Sequence, residues 1–379
     1  MKIEQRYWTA GSGWQTEKET SLEGNASLVL IFGSTALLRD ADRMVEIRAR
    51  YPGAVLAGCS TAGEICGIRV RDDSLSVTAV RFEHTTLKLV QATIAEAADS
   101  LEAGERLANA LSAEQLVHVV VLSDGLKVNG TELARGLREN LPPGVAVTGG
   151  LAGDGSAFQH TLVCADGEAA EGLVAALGFY GERLKVGYGS LGGWDSFGAE
   201  RLITRARGNV LYELDGRSAL ALYKEYLGEH AAGLPATALL FPLALRTGEE
   251  GYSLVRTVLA VNEDEQSMTF AGDMPEGGYA RLMKANFDRL VDGAAGAAHA
   301  GYEMLGSSEP ELALLISCVG RKLVLKQRIE EEVESVREVL GKNTALTGFY
   351  SYGEICPQGT LTGCELHNQT MTITTFSEK

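Results

Sequence analysis

AGCSTAGEICG at residues 57–67 and TGFYSYGEICP at residues 347–357 are two forms of one phrase, placed near opposite ends of the chain. In both, an apolar run reaches glycine, and Gly-Glu-Ile-Cys follows a few residues later. The flanking sequence repeats too. Upstream of the first copy lie SLVLIFGS, a strand-like run, and LLRDADRMVEIRARYPG, whose apolar positions have helical spacing. Upstream of the second lie ELALLISCVG and RKLVLKQRIEEEVESVREVLG, the second of which reads as a single helix. Each copy is followed by an alternating strand, SLSVTAVRF or QTMTITTF.

The middle of the chain holds a third copy of this order: LVHVVVLSDG, GTELARGLRENLPPG, AVTGGLAGDG and EGLVAALGFYG. About thirty residues separate first strand from Gly-rich loop in each copy, the usual size of a strand–helix–strand unit. A shared period with a shared order argues for duplication. The expected fold is therefore α/β, with two domains of mixed β-sheets packed against helices and built from repeated strand–helix–strand units. Residues 28–83 and 312–376 should share one strand order.

A different block, roughly 185–300, separates the second and third units. It opens with alternating, glycine-punctuated sequence and continues with a helix over SALALYKEYLGEH. A hairpin turning at Asn-Glu-Asp-Glu follows, and a helix is predicted from about Gly278 to Ala300. The domain boundary is placed in the Gly-rich stretch near residue 190, giving domains at 27–190 and 191–377.

The net charge of −16 opposes nucleic-acid binding, which needs clustered Lys and Arg, and opposes anionic membrane surfaces. LPATALLFPLAL is the densest apolar stretch, too short to span a bilayer and interrupted by two prolines, so no membrane insertion is expected. The first residues lack an apolar signal core, so the expected location is cytoplasmic. Six cysteines occur with no CxxC pair, as expected of reduced, packed thiols rather than a zinc site.

Loops beyond strand ends are where α/β folds bind ligands, and the loops at 58–66, 148–155 and 348–357 are expected to line one cavity. In the first, Cys59, Ser60, Thr61 and Glu64 offer hydroxyls and a carboxylate suited to an ammonium or hydroxyl-bearing ligand; the alternative is Glu64 capping backbone amides. The middle loop contributes Gly149 and Asp154. The third adds Tyr350, Tyr352 and Glu354, an aromatic and acidic set of the kind that receives amino groups. Arg321 is the candidate opposite charge, or else half of a structural ion pair. A nucleophilic Cys59 or Ser60 is the rival, enzymatic reading. It has no G-x-S-x-G elbow, H-E-x-x-H, P-loop or dinucleotide fingerprint to support it.

GCSTAGEI, GGLAGDG, NVLYELDGRSALALY, LFPLAL, SCVGRK, GFYSYGEICP and LHNQTMTIT, in this order, resemble the signature stretches of the FIST family (F-box and intracellular signal transduction proteins). The likeness runs from about residue 27 to 377. It implies a non-catalytic sensory protein that binds a small, amino-acid-like ligand and signals to a partner such as a histidine kinase. No kinase, cyclase or F-box segment is read, so a stand-alone form is expected. Because some bacterial members are haem proteins that sense nitric oxide, the resemblance makes haem a candidate cofactor. Cys356, which precedes Pro357, and His84 and His118 are then candidate ligands. His367 and Asn368 join the candidate site because they fall in a signature stretch.

Overall fold

The computed structural model describes residues 1–379 except 21, 23, 247–252 and 358–362. Gln358 and Gly359, which end the third Gly-rich stretch as read from sequence, lie outside the described residues.

The three units share one strand order. In each, a parallel pair is formed by a first and a second strand: Leu28–Gly33 with Val55–Ser60, Leu116–Ser123 with Ala146–Leu151, and Leu312–Cys318 with Ala345–Ser351. A return strand runs antiparallel beside the first: Ser74–Arg81, Leu173–Tyr180 and Met371–Glu378. A lead strand from earlier in the chain closes the far side: Lys2–Thr9, Thr86–Thr93 and Leu184–Leu191. Residues 28–83 and 312–376 thus have the same order, and the middle unit repeats it.

Burial explains why the first strands are nearly continuous apolar runs. Leu30 and Phe32, Val120 and Leu122, and Leu314 and Ile316 meet in one central cluster between the three sheets. The residues between them, Ile31, Val121 and Leu315, point to the other face and pack in clusters that include helix residues such as Ile47, Leu133 and Val333. A strand covered on both faces has no reason to alternate. Side chains start the connecting helices: Asp40 accepts from the N–H groups of Asp42 and Arg43, and Asn129 from those of Thr131 and Glu132.

The units are also laced together. After its second strand, each unit sends a short strand into a neighbouring sheet. Glu64–Cys66 of the first unit pairs with Ala345–Ser351 of the third. Gly353–Cys356 of the third pairs with Ala146–Leu151 of the second, and Val163–Ala165 of the second pairs with Val55–Ser60 of the first. The exchange is cyclic and produces a pseudo-threefold ring.

Residues 195–284 build a separate antiparallel sheet, inserted between the third lead strand and the helix Phe287–Met304. The helix Ala219–Leu227 packs on it around Leu220, Tyr223 and Phe270. Two expectations need correction here. The helix predicted from Gly278 begins at Phe287, because 279–284 alternates between exposed and buried as a strand, and the Asn286 side chain caps Arg289 N–H. The single helix read after Cys318 is two, Val319–Leu325 and Ile329–Leu340, broken where Lys326 takes φ 51°.

Candidate functional site

The cyclic exchange brings the three Gly-rich loops to one axis. Three backbone hydrogen bonds close the ring: Ala62 N–H to the Tyr350 carbonyl (2.8 Å), Tyr352 N–H to Leu151 (3.1 Å) and Gly153 N–H to Ser60 (2.9 Å). Counted from the glycines that start the loops, Gly58, Gly149 and Gly348, each donor is the fourth residue on and each acceptor the second.

The two glutamates of the repeated phrase occupy matching places with matching partners. Glu64 accepts from the Thr61 hydroxyl (2.5 Å) and from the Ser74 hydroxyl (2.6 Å) and N–H (3.2 Å). Glu354 accepts from the Ser351 hydroxyl (2.6 Å) and from the Thr370 hydroxyl (2.9 Å) and N–H (3.3 Å). In both cases a hydroxyl three residues earlier and a Ser or Thr at the head of the return strand pin the carboxyl. Gly-Glu-Ile-Cys is therefore spelled twice because it is the exchanged strand and its anchor. The middle unit has Gly155 at the equivalent place.

Burial pushes the Glu64 carboxyl up to about 7 and that of Glu354 up to about 8, against the opposing pull of these hydrogen bonds. In the unfolded chain both lose their protons near pH ~4.3. As pH rises from there to about 8, the folded state retains protons on these carboxyls that the unfolded state has released, so their contribution to stability falls. Up to pH ~6.5 the buried His118 and His367, neutral when folded and protonated when unfolded, offset that fall. Urea midpoints of the parent are expected to change little from pH ~5 to ~6.5 and to decline from ~6.5 to ~8. In Glu64→Gln/Glu354→Gln they are expected to rise to pH ~6.5 and then level off. Parallel profiles in the parent and the variant would mean both carboxyls are ionised when folded.

On one side of the ring lies an open cavity of about 620 Å³. The first unit lines it with Thr61–Glu64, Asp72 and Asp73, the second with Asp154–Ala157, Gln159 and His160, and the third with Val319, Lys322 and Leu323. Lys322 is its ammonium, held by Asp72 and by the Ala62 carbonyl (2.7 Å). A side chain at Gly63 (φ 141°) would meet Lys322 Nζ at 2.5 Å, so glycine there keeps the lysine in place. Asp154 accepts from the N–H groups of Phe158, Gln159 and His160 at 2.7–2.8 Å and from the Tyr352 hydroxyl, shaping the loop that walls the cavity.

Thr61, Glu64 and Asp154 are thus brought to this cavity, but the expected third loop, 348–357, lines none of it. Its exchanged strand is buried in the second unit's sheet, and Tyr352 reaches the rim only through Asp154. The remaining candidates lie elsewhere. Ser60 is buried, its hydroxyl accepting from Leu162 N–H (2.8 Å). Gly149 lies within the sheet opposite Ile355. Glu354 is wholly buried and lines neither this cavity nor the smaller one beside it. Arg321 does not face the loop carboxylates: it is buried against Glu332 (2.8 Å), and Tyr350 donates to the same Glu332 (2.5 Å). His367 is buried with Nε2 on the Cys356 carbonyl (3.0 Å), and burial lowers its pKa to about 4. Asn368 donates to the His367 carbonyl (3.0 Å). Cys59 is fully buried, and burial raises its thiol pKa well above the ordinary value, opposite to what a nucleophile requires.

Sequence reasoning missed Lys322, Asp72, Asp73 and His160. The signals were slight: Lys322 sits beside the chosen Arg321, and Asp72-Asp73 is a turn pair in which Asp73 takes φ 50°. Haem does not fit the cavity. His160 is the histidine on its lining, bonded through Nδ1 to Glu171 (3.0 Å), and the carboxylates around it would repel propionates. His118 and Cys356 are packed in the core, His118 against Thr148 (2.8 Å), while His84 is exposed beside Arg183 (3.0 Å).

Comparison with known proteins fixes the family. An uncharacterised protein of Methanocaldococcus jannaschii is 26% identical over 207 residues, covering 50% of this chain and 38% of the relative, so the chain spans well under half of that protein's length. A cyanuric acid hydrolase from A. caulinodans aligns with 78% of this chain and 99% of its own, at 11% identity and a TM-score of 0.18, too slight a likeness to carry an argument. Among the described residues, no helix is long and apolar enough to cross a membrane. The FIST N domain matches residues 27–217 and the FIST C domain residues 219–357. The chain therefore belongs to the FIST family, whose domains are associated with sensing in signal transduction.

Proposed function

We propose that this chain is a sensor without catalytic activity, and that its 620 Å³ cavity binds a small amino-acid-like ligand. The observation that carries the reading is convergence: all three units contribute to one open pocket in which several carboxylates stand near a single ammonium. Such a lining suits a ligand with its own ammonium and carboxylate. Asp73, whose carboxylate has no hydrogen bond or ion pair among those described, is available to the first, and Lys322 to the second. Because the pocket is assembled from three units, an occupant would bridge them and alter the surface offered to a signalling partner. A histidine kinase is the family-based expectation for that partner, and domains at 27–190 and 191–377 remain the proposed division of the chain.

Screening the common amino acids by thermal unfolding, then calorimetry, tests the ligand class. A true ligand at a hundredfold excess over its Kd is expected to stabilise the fold by about 2.7 kcal/mol. Asp73→Asn should weaken it about tenfold, corresponding to about 1.4 kcal/mol, with the ligand-free protein unchanged in stability. If no amino acid shifts the transition and calorimetry is blank, the ligand class is wrong. Turnover of a metabolite at ordinary enzymatic rates would overturn the sensory assignment itself.

A further inference from the structure

A second cavity, of about 330 Å³, lies where the ring meets the inserted sheet. It differs in character from the first: leucines and the rings of Phe158, Phe270 and Tyr352 make much of its lining, beside Lys127, Asn129, Asn209, Thr257 and Asp273. Three observations mark it as built for a ligand. Leu126, Phe158 and Leu259, three of the large apolar side chains left exposed on this protein, all fall on this one lining. Phe158 and Tyr352 stack there with ring centroids 4.4 Å apart and planes 13° from parallel. The Thr257 side chain on the same lining is buried, 5% exposed, yet its hydroxyl has no hydrogen-bond partner among the described residues. A buried hydroxyl without a partner is costly, and this oxygen, closed off by its neighbours, would gain one if the side chain turned to a ligand in the cavity.

The chemistry of the lining selects the occupant. A pair of stacked rings extends naturally to a third flat ring. The volume holds roughly ten water-sized groups, enough for one or two fused rings. The polar groups include the Thr257 hydroxyl and the Asp273 carboxylate, both able to accept from an N–H. We propose that this cavity is a second binding site, taking a small planar aromatic molecule that carries an N–H donor. The site does not depend on the amino-acid reading of the larger cavity. It borders that cavity nonetheless, since Val319 lines both and Tyr352 donates to Asp154 between them.

Indole is the probe, and benzofuran, with the same outline but no N–H, is its comparator. Ligand-observed NMR titration of the full chain should give saturable indole binding and weaker benzofuran binding. Phe158→Ala and Leu259→Asp, both at exposed positions, are expected to weaken indole at least about tenfold while leaving thermal stability near the parent's. Thr257→Val should erase the preference for indole over benzofuran. Asp73→Asn, in the larger cavity, should leave indole binding unchanged. Absence of saturation, equal binding by Phe158→Ala and Leu259→Asp, or loss of indole on Asp73→Asn would each overturn the proposal. None of these results bears on whether an amino acid occupies the first cavity.

Discussion

Replacing Arg321 with alanine is expected to cost about 3–5 kcal/mol of stability, among the largest effects of any single substitution in this chain. Arg321 and Glu332 are both fully buried, and every strong contact of the guanidinium is internal. Its Nε and Nη2 donate to Glu332 at 3.0 and 2.8 Å, Nη2 also donates to the Leu290 carbonyl at 2.6 Å, and Nη1 donates to the Gly192 carbonyl. One side chain thus ties the third unit's helices to the helix Phe287–Met304 and to the glycine stretch preceding the inserted sheet. Truncation would strand the Glu332 carboxylate in the core with only the Tyr350 and Ser317 hydroxyls as donors. The pair itself contributes little relative to a well-packed apolar substitute; the cost comes from leaving one charge unpaired. Arg321→Met/Glu332→Leu should therefore be more stable than Arg321→Ala, although it removes twice as many charges. Urea unfolding followed by fluorescence and circular dichroism, checked for coincident transitions, measures both variants. A loss under about 1 kcal/mol for Arg321→Ala would mean that water reaches Glu332 and that the pair is not sealed.

Much of this architecture was legible in the sequence because it is local. Strand–helix–strand order depends on apolar period and turn residues over about thirty residues, and those patterns recur three times. The meeting of the loops at one axis was legible too, but their sharing of one cavity was misread: 348–357 lines none of it, and the third unit's share comes from Val319, Lys322 and Leu323. The cyclic exchange of strands was not. Glu64–Cys66, Gly353–Cys356 and Val163–Ala165 are too short to carry a period, and their partners lie far away in the chain. The roles of neighbouring residues were equally hidden. Arg321 and Lys322 are adjacent cations on one helix, and a single step of about 100° between consecutive helical residues sends one to Glu332 in the core and the other to Asp72 at the cavity. Glu64 and Glu354 read alike as ligand-facing carboxylates, but hydroxyls on the return strand, distant in sequence, hold both of them.

That duplication makes one further expectation unusually strict. Gly58, Gly149 and Gly348 occupy the same place in the three second strands, opposite Ile31, Val121 and Leu315 of the first. At each, an added Cβ would meet the carbonyl oxygen of that opposite residue at 1.9, 1.9 and 1.8 Å respectively. Gly149 and Gly348 also take φ of 154° and 158°, at the edge of the region that side chains avoid. Backbone carbonyls inside a parallel pair cannot rotate away as a flexible side chain can. Relief would require separating the first and second strands where the exchanged strand joins them. Alanine at any one of the three is expected to cost about 3 kcal/mol or more, at or beyond the upper end of ordinary overpacking. The collision is the same in each unit, so all three losses should be large, with Gly58→Ala, free of the positive-φ strain, no worse than the other two. Gly144→Ala is the internal control: its φ of 90° is also left-handed, but nothing lies within 4 Å of its added Cβ, so it isolates backbone strain from collision. Hydrogen exchange would place the damage, with protection lost first in the strand pair carrying the substitution. If Gly58→Ala, Gly149→Ala and Gly348→Ala were no worse than Gly144→Ala, the strands would be free to part, and the ring would be looser than its hydrogen bonds imply.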